Sequence, residues 1–373
     1  MQWLLLLILA PYLYLISRIY SRLLSVRQFR PAGGSRVCVS VVAACRNEEE
    51  NLPALLSGIT CQTYDPASFE LIIVDDGSTD STYAIAAAYK YIKNLRVIKS
   101  DGAGKKKAIR AGIAVASGEL IITTDADCRP GNNWIKTIAA YYSARKPDMI
   151  IGPVVLEGGS GFFGKFQELE FLSLQGITAG TAEGGDAVMC NGANLAFTSA
   201  VYKKHKERLH DEVPTGYDVF LLHETKKDDW SRILWLESHD AAVKTSAPAR
   251  IKDYISQRAR WISKTDYYSD TSSKILAIVT FVTILTQLVI LAATLFIPAL
   301  MPVFILFFTF KSIPDFLVLD NTAGRYGKKD LLKWFIPSQF VYPFYITVIV
   351  LYALLMRARL SSPFQKGTLS SPA

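Results

Sequence analysis

Residues 70–80 read Glu-Leu-Ile-Ile-Val-Asp-Asp-Gly-Ser-Thr-Asp. An apolar, β-branched run stops at two carboxylates and a glycine. Such a run predicts a strand buried on both faces, and the Gly-Ser-Thr turn behind it predicts a helix start. The same pattern recurs on either side. Residues 37–44 predict a strand, and 47–57 predict a helix whose first turn holds Glu48, Glu49 and Glu50, where the helix dipole favours anions. Residues 79–92 predict a helix, 95–99 a strand, 105–116 a helix and 119–124 a strand. Strands alternating with helices predict an α/β fold with a mostly parallel central sheet. Ligands of such sheets bind at the carboxyl ends of the strands, and the polar clusters of this chain fall there.

The chain has 373 residues, 50% hydrophobic and 20% charged. That balance excludes a disordered or collagen-like chain and one that lies in a membrane throughout. The net charge of +8 is carried by the ends: residues 1–37 hold five Arg and no acid, and residues 321–373 hold seven basic residues and one Asp, so the middle is net negative. The surplus flanks apolar segments, where it reads as a topology signal and as contact with anionic lipid head groups. No nucleic-acid partner is expected. Cys38, Cys45, Cys61, Cys128 and Cys190 form no CxxC pair, which fits reduced cysteines of a cytoplasmic domain better than a disulfide framework or a zinc site.

Residues 3–20 are apolar apart from Ser17 and Arg18, with Arg22, Arg27, Arg30 and Arg36 behind them. A cleaved signal peptide would carry its charge ahead of the run; charge behind it predicts an uncleaved anchor. Residues 275–319 are long enough for two crossings, and 334–356 offer another, interrupted by Pro343. The predicted organisation is an anchor at 1–22, a cytoplasmic domain at 37–274, a transmembrane region of two or three helices at 275–357 and a tail at 358–373. The location predicted is the plasma (inner) membrane. Four crossings would leave Arg357, Arg359 and Lys366 outside, against the positive-inside rule, so either one segment is re-entrant or interfacial or the rule fails here. Lys311 and Asp315 are spaced to pair on one helical face, as an interfacial pair or as the lining of a lipid or glycan path.

Four constellations carry chemistry. Asp75 and Asp76 at a strand end suit the polar edges of a nucleoside, or an Asx turn with an N-cap. Asp125-Ala126-Asp127 follows another strand; two carboxylates on one face repel unless a hard cation, Mg²⁺ or Mn²⁺, bridges one of them to a diphosphate, and a solvated turn is the alternative. Between these lie Lys105, Lys106 and Lys107 at a helix start, where cations oppose the dipole; a diphosphate would suit them, as would plain solvation. Asp218 is a lone acid among apolar residues at a helix start, a general base or an N-cap. Upstream, Asn194 belongs to a segment of small residues and amides suited to a hydroxylated acceptor. Last, Gln257, Arg260 and Trp261 share a helical face just before the membrane region. They can neutralise a diphosphate and stack on a sugar, or simply lie at the interface.

Taken in order, Arg46-Asn47-Glu48-Glu49, the Asp-Asp-Gly-Ser-Thr-Asp segment, a DxD, a lone Asp and Gln-x-x-Arg-Trp resemble glycosyltransferase family 2, in the membrane-embedded, inverting branch that includes cellulose and poly-N-acetylglucosamine synthases. The resemblance covers about residues 39–261. It implies a GT-A type nucleotide-sugar-binding domain, a UDP-linked donor and a divalent metal. By it, Asp75 and Asp76 contact the uridine with Arg46 and Glu48 nearby, Lys105 lies near the diphosphate, and Asp125 and Asp127 face donor and metal, Asp127 being the ligand. Asp218 is the base, and Gln257, Arg260 and Trp261 hold the diphosphate and the acceptor end. One departure stands out: Tyr217 precedes Asp218 where the synthases usually have a second acid.

The expected activity is inverting transfer of a sugar from a nucleotide sugar to a lipid, lipid-linked or glycan hydroxyl. A processive polysaccharide synthase is an alternative, and a non-catalytic sugar-nucleotide-binding subunit of a polysaccharide complex is another. A partner subunit or a homo-oligomer stays open.

Overall fold

The computed structural model describes residues 2–31, 33–100, 104–213 and 215–361. Gly102 and Ala103 of the lysine loop, and 362–373 of the predicted tail, lie outside the described residues.

In chain order the elements are α1 (Leu9–Ser25), β1 (Val39–Cys45), α2 (Leu52–Thr60), β2 (Phe69–Asp75), α3 (Thr82–Ala88), β3 (Leu95–Lys99), α4 (Lys105–Ala114), β4 (Leu120–Asp125), β5 (Arg129–Pro130), α5 (Trp134–Arg145), β6 (Met149–Ile151) and β7 (Val154–Glu157). They continue with α6 (Phe162–Glu183), β8 (Leu195–Thr198), α7 (Ser199–His205), α8 (Tyr217–Asp229), β9 (Ile233–Trp235), β10 (Val243–Ser246), α9 (Ile251–Ile262), α10 (Thr271–Thr294), α11 (Met301–Arg325) and α12 (Phe335–Ser361).

The main sheet has the order β3-β2-β1-β4-β8-β6-β9, and only β8 runs against its neighbours. Residues of β1 and β2 alternate between two cores because successive side chains point to opposite faces. Val41, Ala43, Leu71 and Ile73 pack on the α2 and α5 side, whereas Val42, Ile72 and Val74 pack on the α4 and α8 side. The strand order reverses at β1, between β2 and β4, so a crevice opens at the carboxyl ends there. The register sets Cys45 beside Asp75 and Ala44 beside Asp125. A smaller sheet, β5-β10-β7, flanks this edge.

The helix expected over 47–57 begins only at Leu52. The reason is a clasp between two segments. The N–H groups of Asn47, Glu48 and Glu49 donate to the side chains of Ser78, Thr82 and Asp80. In return, the side chains of Asn47 and Glu49 accept from the N–H groups of Thr79 and Ser81. Groups that would have started a helix tie the ends of β1 and β2 together, and Asn47 takes a left-handed φ of 55° to do so. The same clasp delays α3 to Thr82.

Four helices are long and apolar enough to cross a membrane: Trp3–Ser25, Thr271–Thr294, Pro298–Arg325 and Lys329–Leu355. Two of them, α1 and α11, meet the α/β domain through α6. A Cβ on Gly180 would lie 2.6 Å from the Ile19 carbonyl oxygen, and one on Gly176 would lie 2.4 Å from Thr322 Oγ1, so α1 and α11 approach α6 too closely for a larger residue. At the domain end of α11, Arg325 donates to the carbonyls of Leu23 and Val26. The second half of α12 leans on α9, with Ile349 and Ala353 packed against Ile255, Ala259 and Ile262.

Candidate active site

The carboxyl edge of the sheet presents its acids in different states. Asp75 is buried, and its Oδ1 has no hydrogen-bond partner among the described residues. An orphaned carboxylate oxygen at a strand end is open to a ligand N–H or O–H. Asp76 differs from the expectation: its carboxylate accepts from the Ser100 hydroxyl and from the Gly104 N–H. It fixes the start of α4 rather than waiting for a nucleoside. Arg46 is exposed at the end of β1.

The three lysines of α4 diverge. Lys105 Nζ lies 2.5 Å from Asp125 Oδ1. Desolvation works against the Lys105 charge, but the charge and hydrogen bond of Asp125, backed by Asp218 and Asp127, hold its ammonium above the usual range. Lys106 turns the other way. It is 5% exposed and donates to the carbonyls of Leu209, His210 and Val213. Lys107 is exposed. The basic loop therefore supplies one cation to the carboxylates, not three.

Asp127 is held by the Thr245 hydroxyl of β10 at 2.8 Å. Burial first, and then the charge of Asp125, push its carboxyl above the usual range. Glu48 is also raised, by burial first, with the charges of Asp127 and Asp125 adding to it against the Asn51 hydrogen bond. Crowded carboxylates of this kind gain from a cation. No group of three or more His, Cys, Asp or Glu side chains among the described residues forms a closed cage. Asp127, with Asp125 beside it, would offer a hard divalent ion the carboxylate oxygens that Mg²⁺ and Mn²⁺ prefer.

Asp218 stands in the first turn of α8. Gly216 before it has φ 89°, and a Cβ there would meet the Lys264 side chain at 2.6 Å, so only glycine delivers the chain into α8 in this way. Asp218 Oδ2 accepts from the Gly192 N–H at 3.1 Å, and Oδ1 accepts from the Val219 N–H. Tyr217, where the synthases have an acid, donates its hydroxyl to the Gly192 carbonyl. The departure noted in the sequence therefore serves as a second strap on the segment that holds Asp218.

Asn194 is not at the site. It is 1% exposed; its Nδ2 donates to the carbonyls of Pro153 and Ala241, and its Oδ1 accepts from the Trp134 indole. A Cβ on Gly152 would overlap this amide. Gly152 leaves room for the amide in the core, and Asn191, Gly192 and Ala193 line the cavity in its place.

Lys105, Asp125, Asp127, Asp218, Arg260 and Trp261 line one cavity of about 1040 Å³, joined by Gln257. Arg46, Glu48, Asp75 and Asp76 are not among its lining residues. In α9 the sequence missed the role of Arg258. Its guanidinium is buried against Glu170 of α6, lies 4.1 Å from the Trp261 ring centre and donates to Gln257 Oε1. Two arginines in Gln-Arg-Ala-Arg-Trp were visible, but Glu170 carries no local signal.

Lys106 yields a prediction. Its three acceptors belong to the loop that leads into α8, so Lys106→Met unties the segment bearing Asp218 while leaving Lys105 on Asp125. Turnover is expected to fall about tenfold or more, by misplacement of the base. Donor affinity, measured as nucleotide protection against thermal unfolding, is expected to stay unchanged.

Residues 40–205 match the family described as Glycosyl transferase family 2. Glycosyltransferase AglE of Haloferax volcanii is 33% identical over 118 residues, covering 31% of this chain and 39% of that protein. Poly-beta-1,6-N-acetyl-D-glucosamine synthase of Staphylococcus epidermidis is 25% identical over 368 residues, covering 87% of this chain and 84% of the synthase. Mannosyltransferase PcManGT from Pyrobaculum calidifontis, solved in complex with GDP-Man and Mn²⁺, shares the fold: TM-score 0.58, 17% identity, 95% of this chain and 99% of that one. The chain spans 21% to 39% of the length of the first curated relatives it matches. The fold of the chain is GT-A-like α/β, and its residues 40–205 form a domain that matches Glycosyl transferase family 2.

Proposed function

We propose that the protein is a membrane-bound inverting glycosyltransferase. It moves a sugar from a UDP-linked donor to a hydroxyl of a lipid, lipid-linked or glycan acceptor, with its catalytic domain at the cytoplasmic face of the plasma (inner) membrane. The observation that carries this is the meeting of Asp218, Asp127, the Lys105–Asp125 pair and the α9 residues in one cavity that continues among the apolar helices.

Asp75 receives the nucleoside through its free oxygen. Lys105 and Arg260 face the diphosphate, where negative charge grows as the donor breaks. Asp218 takes the proton of the acceptor hydroxyl, and the oxygen forms a bond to the anomeric carbon. The bond from that carbon to the diphosphate oxygen breaks with its electrons on the nucleoside diphosphate. One base and one displacement invert the anomeric centre; no second carboxylate is needed as nucleophile. A divalent ion on Asp127 would supply Lewis-acid charge neutralisation at the diphosphate. A processive synthase is the second reading, supported by the Staphylococcus epidermidis relative, whose match spans most of both chains.

The test is release of nucleoside diphosphate by purified full-length protein, offered a panel of nucleotide sugars, membrane lipid extract and Mg²⁺ or Mn²⁺. Release from one donor that stops on chelation of the metal is expected. Donor binding with no release from any sugar would favour the non-catalytic subunit instead. A ladder or polymer among the products would favour the processive synthase.

A further inference from the structure

The cavity that holds Asp218 does not end at the α/β domain. Its far limb is walled by α1, α6, α10, α11 and α12, with Ile16, Ile177, Phe281, Ile284, Val318 and Phe335 in the lining. One polar cluster interrupts this apolar wall. Lys311 Nζ donates to Asp315 Oδ2 at 2.7 Å and to Gln339 Oε1 at 3.0 Å. Tyr12 donates to Asp315 Oδ1, and Gln339 Nε2 donates to Asp315 Oδ2. All four side chains line the cavity, and Lys311 is 2% exposed. An ion pair among membrane helices is costly and marks a site more often than a scaffold.

The cluster has a definite chemistry. Its charges cancel, and each Asp315 oxygen and Gln339 Oε1 already receives at least one donor. Donors remain. The ammonium and the Gln339 amide each carry one more N–H than these bonds use. The Ser338 hydroxyl, which lines the same cavity, is buried without a hydrogen-bond partner among the described residues. A wall with free N–H and O–H donors and no net charge can hold uncharged acceptor oxygens, such as ester carbonyls. At the other end, Asp218 serves a neutral hydroxyl. A lipid phosphate is already anionic, so Asp218 would have no proton to take from it.

We propose that the acceptor is an uncharged acyl lipid with a free hydroxyl, its chains in the apolar limb and its ester oxygens on Lys311, Gln339 and Ser338. The hydroxyl belongs to the glycerol or to a sugar already attached to it. This rests on the glycosyltransferase reading of the site.

The test uses full-length protein and photoactivatable lipids: a diazirine diacylglycerol, its monohexosyl derivative and a diazirine polyprenyl phosphate. The two neutral probes are expected to label α10, α11 and α12, the one that labels more strongly identifying the hydroxyl's carrier. Replacing both ions together, Lys311→Met with Asp315→Leu, leaves no lone buried charge and is compatible with folding. In that variant labelling is expected to fall about tenfold, the loss of one or two hydrogen bonds, with nucleotide protection against thermal unfolding unchanged. Equal labelling of both proteins would reduce the cluster to helix–helix glue and overturn the proposal. Stronger labelling by the polyprenyl phosphate, or full turnover on a soluble oligosaccharide without lipid, would overturn it as well. Labelling needs no turnover, so the two readings fail separately: intact labelling with no nucleoside diphosphate released from any donor would overturn the transferase, and with it the lipid's role as acceptor.

Discussion

Asp218→Asn is expected to lower turnover about 10²- to 10⁴-fold, the usual contribution of a positioned general base, with little change in donor affinity. The substitution is nearly isosteric. The amide oxygen can still accept from one of the two N–H groups that the carboxylate serves, Gly192 at 3.1 Å or Val219 at 2.9 Å, so one tie of Asp218 to its surroundings is kept. What disappears is the lone pair that takes the acceptor proton. The donor side is built from other elements, Asp75 on β2, Lys105 on α4 and Asp125 at the end of β4, and none of these bonds to Asp218. Single-turnover nucleoside diphosphate release, with nucleotide titration alongside, separates the two effects. A variant that turns over at the wild-type rate would remove Asp218 from the chemistry. One that loses donor binding as well would make it a structural residue of the donor cleft.

The sheet was legible in the sequence because burial on both faces forces β1, β2 and β4 to be short continuous apolar runs, a pattern few other structures produce. The carboxyl-edge acids were legible for the same reason: each follows such a run directly. What the sequence concealed was direction. Asp75 and Asp76 are neighbours, and Lys105 and Lys106 are neighbours, yet Asp75 keeps an unpartnered oxygen and Lys105 meets Asp125, whereas Asp76 and Lys106 hold backbone elsewhere. A one-residue step on a strand or helix reverses or rotates the side chain, and composition does not say which way. Asn194 misled because an amide among small residues suits a sugar and suits a core equally well; only its three buried partners decide. The late start of α2 escaped notice because its competitors, Ser78, Asp80 and Thr82, lie some thirty residues away in sequence. Long-range pairing of this kind leaves no periodic trace, and Glu170 with Arg258 is the strongest instance.

Arg258→Met is expected to be the most destabilising single substitution in the α9 region, because it strands Glu170. Both side chains of that pair are about 6% exposed. Removing one partner of a buried ion pair typically costs about 3–5 kcal/mol, since the survivor stays desolvated without compensation. Among the described residues only the Tyr345 hydroxyl, 3.1 Å from Glu170 Oε1, remains to serve the carboxylate. The guanidinium also lies between two rings, 4.8 Å from Tyr254 and 4.1 Å from Trp261, so its loss loosens the aromatic wall of the cavity. Stability and function can be parted by a double-mutant cycle. Glu170→Leu combined with Arg258→Met removes the stranded charge, and thermal unfolding is expected to show most of the lost stability restored. Turnover is not expected to return with it. Neither apolar residue donates to Gln257 or holds the Trp261 indole, and those two groups face the cavity through Arg258. Recovery of activity together with stability would mean that the pair only fastens α9 to α6. Recovery of stability alone would mean that it also sets the Trp261 ring against the substrate, which is the reading favoured by a guanidinium stacked on an indole rather than merely near it.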